Sequence, residues 1–425
     1  MNFPTVLIPF SYVGPGAGFA FFSTFLVLIL SAIVVFATVL VVPFKWTRKF
    51  FRMIIPVESV RYLVYVAVAL GLIWLAGSYV VAWWSGPAHP RFVVLGMDGL
   101  DPDIVRDMAS RGELPNFKRL MERGELQNLK VPNPPISPTS WASFITGSNP
   151  GRHGVLGFIG RDPETYGPEL FTTIESAEMF LNLPSNLNIP GSYNIPLAPP
   201  NYTSKRQGTP FWEITSEQGI TSTMIKVPVT FPPEQVSGRM ISGLGAPDLK
   251  GTQGSYSFWT EDPPSRDERS SGNIHALRFI NDSANSSIEG PTNTLLDRPK
   301  PTRLKLNLER SADTVLIKID RVDEFALKPG EWSEWKKLRF PLGLGMNVTG
   351  VVRFHLNQLD PLELYMTPIQ INPKDPVMAI SHPESYSNHL AKRIGFYYTM
   401  GMAQDDKALK EENISDTVFL EQAYQ

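Results

Sequence analysis

The sequence contains no cysteine among its 425 residues. This absence excludes disulfide bonds, thiolate metal sites and a cysteine nucleophile. Histidine is also scarce, because only six are present, which is few for a metalloenzyme. The 39 Lys and Arg residues nearly balance the 41 Asp and Glu residues. The resulting net charge of −2 gives no bulk basic field, so nucleic acid is not expected as a partner.

Charge is missing altogether from two long apolar segments, residues 18–43 and 62–84. Each exceeds the roughly 20 residues that a helix needs to cross the hydrocarbon core of a bilayer. A signal peptide followed by a buried helix is the alternative, but a signal peptide begins with a basic segment, and residues 1–16 carry no charge. The sequence thus predicts two transmembrane helices within a membrane anchor that spans residues 1–90.

The loop between the two apolar segments sets the expected orientation. It carries one acidic residue, Glu58, against five basic residues, which are Lys45, Arg48, Lys49, Arg52 and Arg61. Basic residues in short loops stay on the cytoplasmic side of a membrane. We therefore expect a multi-pass protein of a bacterial-type inner or plasma membrane, with the lipid bilayer as a partner and the main domain extracytoplasmic.

The chain after the anchor begins as an α/β domain, which we assign to residues 91–264. The apolar run "RFVVLGMD" predicts a buried strand. Asp101 as N-cap and Pro102 at the first helical position predict a helix directly after it. A second helix is predicted to end at Gly124. A strand followed by helices indicates a layered α/β fold with a parallel sheet.

The pattern of apolar and polar residues changes twice after this domain. Alternation of apolar and polar residues with period two predicts a β-rich insertion over residues 265–375. Helical spacing returns over 376–425, where the last helix begins near Ser415 and the chain stops at Gln425 before that helix is capped. We expect a natural continuation of this truncated segment.

Asp98 is the first candidate for chemistry, because it ends the predicted strand and is followed by Gly99. In an open α/β sheet, ligands gather outside the carboxyl ends of the strands. A carboxylate there, beside a glycine that permits close approach, suits a divalent cation. The alternative is an aspartate that only caps the next helix.

The second candidate lies in the hydroxyl-rich stretch "PPISPTSWASFITGSNPGRHG". Pro138 fits the first turn of a helix, which makes Ser137 the expected N-cap of a helix that runs to Gly147. A hydroxyl at a helix start lies among free N–H groups, where a phosphate-like anion binds and an attacking hydroxyl is activated. A plain serine cap is the alternative for Ser137.

Taken together, "VLGMDGLDP" and "SPTSWASFITGSNPGRHG" resemble the alkaline phosphatase superfamily. The resemblance is closest to its type I phosphodiesterase and nucleotide pyrophosphatase branch, in the membrane-anchored bacterial type. It implies an alkaline-phosphatase-like, mostly parallel sheet with flanking helices. It also implies that Asp98 is a metal ligand and that Ser137, ten residues before Gly147, is a metal-bound nucleophile, with Thr139 as the alternative.

The resemblance further implies two divalent metal ions, zinc or alternatively manganese, and a covalent phospho-enzyme. Further metal ligands of the family, an Asp-x-x-x-His stretch, an Asp-His-Gly phrase and a late His, are absent from this sequence. The metal site is therefore incomplete in this chain, which looks as if it lacks the C-terminal half of the family's fold. A second chain that carries that half is a candidate partner.

Two departures from the pattern narrow the substrate. Phe158 stands where nucleotide pyrophosphatases carry an Asn that binds a phosphate oxygen, so nucleotide diesters are not favoured. Pro138 directly after Ser137, with Trp141 in place of the sulfatase Arg, argues against sulfate esters. The resemblance thus implies a membrane-anchored phosphoesterase or phosphotransferase acting on an extracytoplasmic phosphate ester, such as a lipid head group or envelope glycan. The alternative is an inactive fragment or a non-catalytic, membrane-anchored binding protein.

Overall fold

The computed structural model of the protein describes residues 66–75, 77, 92–162, 164–170, 173–176, 186–189, 193–196, 201–264 and 270–424. The chain divides into two units, Met1–Val93 and Val94–Gln425. In the first unit, residues 66–75 are helical and every one of them is exposed. No helix within the described ranges is both long enough and apolar enough to cross a membrane. The predicted transmembrane segment 18–43 lies outside the described residues, as does much of the segment 62–84.

The described part of the second unit contains eight helices with assigned bounds. They are α1 (Pro102–Ser110), α2 (Pro115–Arg123), α3 (Ser137–Thr146), α4 (Pro150–His153), α5 (Phe211–Glu217), α6 (Ser385–Ile394), α7 (Asp406–Lys410) and α8 (Asp416–Gln422). Local chemistry starts α1, because the Asp101 carboxylate accepts hydrogen bonds from the N–H groups of Asp103 at 2.7 Å and Ile104 at 3.2 Å. Gly124 is the C-cap of α2. The predicted caps of both helices are confirmed.

Two sheets contain the parallel strand pairs of the described residues. In the first sheet, β7 (Ser222–Val227) is parallel to β8 (Gly238–Ser242), and β20 (Ser381–His382) pairs antiparallel with β8. The second sheet has the order β10-β9-β18-β17. Its members are β9 (Ser257–Thr260), β10 (Asn273–Ala276), β17 (Phe354–Leu359) and β18 (Leu362–Met366), of which β9 and β10 are parallel.

The other strands pair antiparallel throughout. One sheet has four strands, β11 (Ser283–Asn293), β12 (Lys300–Arg310), β13 (Val315–Ile319) and β14 (Phe325–Leu327). Another has three, β15 (Lys336–Gly343), β16 (Met346–Val352) and β19 (Gln370–Ile371). Three two-stranded pairs are β1 (Ile159–Arg161) with β2 (Pro168–Leu170), β3 (Thr173–Ser176) with β6 (Asn201–Ser204), and β4 (Asn186–Ile189) with β5 (Tyr193–Pro196).

The structure is thus a mixed α/β fold with parallel portions, and the expectation of a mostly parallel sheet was wrong for the described strands. Only β7–β8 and β9–β10 are parallel there. The reason lies in the short connections, since only antiparallel strands can be joined by a tight turn. Strands β15 and β16, for example, are joined by Leu344 and Gly345, both with positive φ (52° and 78°), as a two-residue hairpin turn requires.

The predicted buried strand before Asp98 is also corrected. Residues 92–97 are not assigned to a strand, and their side chains are exposed, with Phe92 at 88% and Leu95 at 77% of full exposure. An apolar run forms a strand only where a neighbouring strand supplies its hydrogen bonds. No strand of the described residues pairs with this segment.

Two apolar clusters hold helix α3 in place, one against the parallel pair β7–β8 and one against the segments that follow α4 and β7. Ile145 on α3 belongs to one buried cluster with Met224 of β7 and Met240 of β8. Ala142, also on α3, belongs to a second cluster with Val155 and Val229. Burial of this kind is worth about 1.5–3 kcal/mol for each large apolar side chain. These contacts fix the helix whose first residue is Ser137.

Candidate active site

The side chains of Ser137 and Asp98 meet in the structure, although 39 positions separate them in the sequence. The Ser137 hydroxyl donates a hydrogen bond of 2.6 Å to Oδ2 of Asp98. Asp98 is exposed and Ser137 is half-buried, so solvent reaches the pair. A serine bonded to a carboxylate within about 2.6–3.2 Å has the geometry of a nucleophile beside a group that can take its proton.

Helix α3 begins one residue earlier than the sequence predicted. Ile136 is the N-cap, with extended backbone angles (φ −123°, ψ 153°), and its carbonyl accepts the first helical hydrogen bond from the N–H of Ser140 at 3.0 Å. Ser137 is therefore the first helical residue rather than the cap. Its hydroxyl is bonded to Asp98 instead of a backbone N–H, and the free N–H groups of the first turn remain beside it.

The approach of the two segments depends on a glycine. A Cβ atom added to Gly96 would lie 2.2 Å from Cη2 of Trp141 on α3. Only a residue without a side chain can pack this closely on the indole ring. Because Gly96 precedes Asp98 by two residues, this contact brings the carboxylate to the first turn of α3. Gly99, the residue directly after Asp98, adopts a left-handed conformation with a φ of 65°.

Thr139, the alternative nucleophile, is fully buried. Its Oγ1 finds no hydrogen-bond partner within the described part of the chain. A hydroxyl without access to solvent cannot attack a substrate from outside, so this geometry favours Ser137.

His153 is buried at the end of α4, and both of its ring nitrogens are engaged. The N–H of Val155 donates to Nδ1 at 3.1 Å, which places the ring proton on Nε2, and Nε2 lies 2.9 Å from the Ser143 hydroxyl on α3. Burial, and secondarily the charge of Arg206, lower the pKa of His153. The imidazole thus ties the turn after α3 to that helix, in a structural role.

Lys226 is a feature that the sequence reasoning missed. It lies at a β-bulge near the carboxyl end of β7 with a left-handed φ of 57°, an uncommon conformation for a non-glycine residue. The residue is half-buried, but its ammonium group is enclosed and donates to the carbonyls of Thr399 at 3.0 Å and Met400 at 2.6 Å. Burial lowers the pKa of Lys226 to about 7. A lysine inside the otherwise uncharged run "TMIKVPV" was the signal available in the sequence.

A second missed feature is a buried ion pair behind the site. The Arg206 guanidinium contacts the Glu234 carboxylate, which also accepts a hydrogen bond of 2.6 Å from the Trp212 indole. Burial raises the pKa of Glu234, against the opposing effect of Arg206. Trp212 shares its apolar cluster with Ile145 of α3, so this pair supports the helix from the far side.

These features define a class of site: a solvent-accessible serine, bonded to a carboxylate, at the start of a helix in a mixed α/β fold. The family model for type I phosphodiesterase / nucleotide pyrophosphatase matches residues 92–331, more than half of the chain. The chain therefore belongs to this family, which confirms the resemblance drawn from the two sequence motifs. No curated protein and no solved structure matches the chain significantly.

Members of this family generally depend on metal ions. The described residues do not fit a complete metal site, because none of them form a group of three or more His, Asp or Glu side chains. Asp98 and Ser137 offer one carboxylate and one hydroxyl, whereas zinc in proteins takes three or four protein ligands. The assignment of Asp98 and Ser137 as ligands of zinc or manganese stays a prediction.

Proposed function

We propose that the protein is a phosphoester hydrolase or phosphotransferase of the phosphodiesterase type in which Ser137 is the nucleophile. Membership of the type I phosphodiesterase family supports chemistry on phosphate esters. The observation that carries the assignment of Ser137 is its 2.6 Å hydrogen bond to Asp98 at the first turn of α3. The free N–H groups of that turn favour an anionic phosphoryl group.

The reaction follows from the groups at hand. Ser137 Oγ attacks phosphorus in line, and its proton passes to the Asp98 carboxylate, which already accepts the hydrogen bond. The new Oγ–P bond forms as the ester P–O bond breaks, and the departing alkoxide takes a proton from solvent. A water or an alcohol then attacks phosphorus as the Oγ–P bond breaks, and its own proton passes to solvent. Asp98 returns its proton to Oγ and so restores Ser137, which gives hydrolysis with water or transfer with an alcohol.

We infer that the substrate is a non-nucleotide phosphate ester at an extracytoplasmic membrane surface, such as a lipid head group or an envelope glycan. Phe158 supports a substrate that is not a nucleotide. Its side chain, at 47% of full exposure, offers no hydrogen-bond donor to a phosphate oxygen. The two uncharged segments and the basic loop between them support the membrane location.

Hydrolysis of p-nitrophenyl phosphate mono- and diesters, with zinc or manganese supplied, tests the proposal. The wild type and a Ser137→Ala variant are compared with Ser140→Ala, a matched control on the same helix with a half-buried side chain. We expect hydrolysis by the wild type and the control and its loss in Ser137→Ala. Equal rates for all three would contradict the role of Ser137.

A non-catalytic binding protein is the second candidate function. It is favoured by the lack of a three-ligand group among the described residues. This candidate predicts that the wild type stays inert with both metals while it still binds a phosphate ester, which equilibrium dialysis would detect.

A further inference from the structure

A pocket of about 380 Å³ lies in the β-rich part of the chain, and it shares no residue with the site of Ser137 and Asp98. One wall is the turn between β13 and β14, and the other is the start of β15. Its volume is within the range of small-molecule sites, about 300–1,000 Å³. The polar and aromatic side chains that line it are Arg321, Asp323, Trp335, Lys336, Lys337 and Arg339.

The pocket carries an excess of positive charge. Four cationic side chains face one carboxylate, Asp323. None of the four forms an ion pair with a carboxylate of the described residues, whereas nearby cations such as Arg310 and Lys318 are paired with glutamates. Of the four, only Lys336 makes another stabilising contact of its charge with a described residue, a cation–π contact in which its Nζ lies 4.2 Å from the centroid of the Phe325 ring. Like charges at exposed positions repel one another weakly in water, and a bound anion turns this repulsion into attraction.

The strand fixes two of these cations on one face. Lys337 and Arg339 are exposed, while Leu338 and Phe340, which alternate with them, are fully buried. Successive side chains of a strand point to opposite faces of its sheet, which explains this alternation. Pairing with β16, where Val351 lies opposite Lys337, holds β15 in this extended form. The two side chains therefore point to the same side of the sheet, about two residues apart along the strand.

Trp335 adds a flat surface and a donor. Its ring packs edge-on against Tyr398, with centroids 5.1 Å apart. Its indole N–H makes no hydrogen bond with a described residue. The guanidinium groups of Arg321 and Arg339 can each donate two N–H hydrogen bonds to an oxyanion, and the lysines add positive charge beside it.

We propose that this pocket binds a ligand that carries two or more phosphate groups. The site is separate from the nucleophile and therefore goes beyond the proposed function. A terminal phosphate group offers three oxygens where a carboxylate offers two, so it can accept hydrogen bonds from more of these donors at once, and four cations beside one carboxylate call for a ligand with more than one negative charge.

Binding is measured by calorimetry on the full chain in detergent, with inorganic tripolyphosphate as the probe. All variants carry Ser137→Ala, and the test and control variants are compared within this background, so the result does not depend on whether Ser137 is a nucleophile. The test variant is Lys337→Gln/Arg339→Gln. The matched control is Lys300→Gln/Lys305→Gln, which removes two exposed cations of β12 that form no ion pair with a described residue. Circular dichroism establishes that both variants fold.

We expect tripolyphosphate to bind, with an affinity that falls as salt rises, and the test variant to lose at least about tenfold in affinity while the control changes by less than about twofold. Asp323→Asn should bind more tightly, because it removes the one opposing charge. Citrate and sulfate serve as comparison anions. No binding at millimolar tripolyphosphate, equal losses in both double variants, or equal affinity for citrate would overturn the proposal.

Discussion

Gly96 lies so close to Trp141 that a Cβ atom on it would stand 2.2 Å from the ring. This contact explains why Asp98 reaches the first turn of α3. We predict that Gly96→Ala costs about 1–3 kcal/mol of stability, as overpacking does, and separates the Asp98 carboxylate from Ser137. Urea unfolding measures the stability, and p-nitrophenyl ester hydrolysis measures the effect on the site.

The control for this substitution is Gly124→Ala. Gly124 is exposed and has an extended φ of −139°, so a methyl group fits there without strain. Should both alanine variants unfold at the same urea concentration and react at the same rate, the contact with Trp141 does not position Asp98.

Ser143→Ala should destabilise the protein by about 1–3 kcal/mol, because it removes the partner of the buried Nε2 of His153. Ser140→Ala on the same helix should change the free energy of unfolding by less than about 0.5 kcal/mol, since the Ser140 hydroxyl makes no hydrogen bond with a described residue. Urea unfolding at pH 7.5 compares the two. Equal destabilisation by the two substitutions would show that the bond to His153 does not stabilise the turn after α3.

Lys226 predicts a pH dependence of stability. Its pKa falls from an ordinary 10.5 in the unfolded chain to about 7 in the folded one. Between these values the unfolded state holds the extra proton, so the free energy of unfolding should rise as the pH rises from about 7 toward 10.5. In Lys226→Met this rise should be absent.

Urea unfolding at pH 7 and 9.5 in the two proteins checks this expectation, because groups other than Lys226 contribute equally to both. If the free energy of unfolding of the wild type minus that of Lys226→Met stays constant or falls from pH 7 to 9.5, burial does not penalise the ammonium group.

The proposed membrane orientation can be tested directly because the chain has no cysteine. Ser311→Cys, at an exposed position of the β-rich part, should react with a membrane-impermeant maleimide in intact cells. Ser59→Cys, in the basic loop, should react only after permeabilisation. Labelling of Ser59→Cys but not Ser311→Cys in intact cells would reverse the orientation.

The sequence predicted what depends on neighbouring residues. The caps of α1 and α2 follow from Asp101, Pro102 and Gly124, which act within one helical turn. The resemblance to the family implied that Asp98 and Ser137 both bind metal, and the structure places Oδ2 of Asp98 2.6 Å from the Ser137 hydroxyl.

The sequence could not predict what depends on distant partners. The apolar run before Asp98 has the composition of a buried strand, yet a strand also needs neighbours, and none of the described strands pairs with it. Lys226 was overlooked because its partners, the carbonyls of Thr399 and Met400, lie more than 170 residues away. The grouping of Arg321 with Lys337 and Arg339 likewise depends on tertiary structure, because the turn between β13 and β14 packs beside the first residues of β15.

The most direct test of the central claim is to trap the reaction with acid and locate the phosphoryl group by mass spectrometry of the peptide that contains both Ser137 and Thr139. We expect a phosphoryl group on Ser137 in the wild type and in Thr139→Val, and none in Ser137→Ala. A phosphoryl group on Thr139, or ester hydrolysis that continues unchanged in Ser137→Ala, would contradict it.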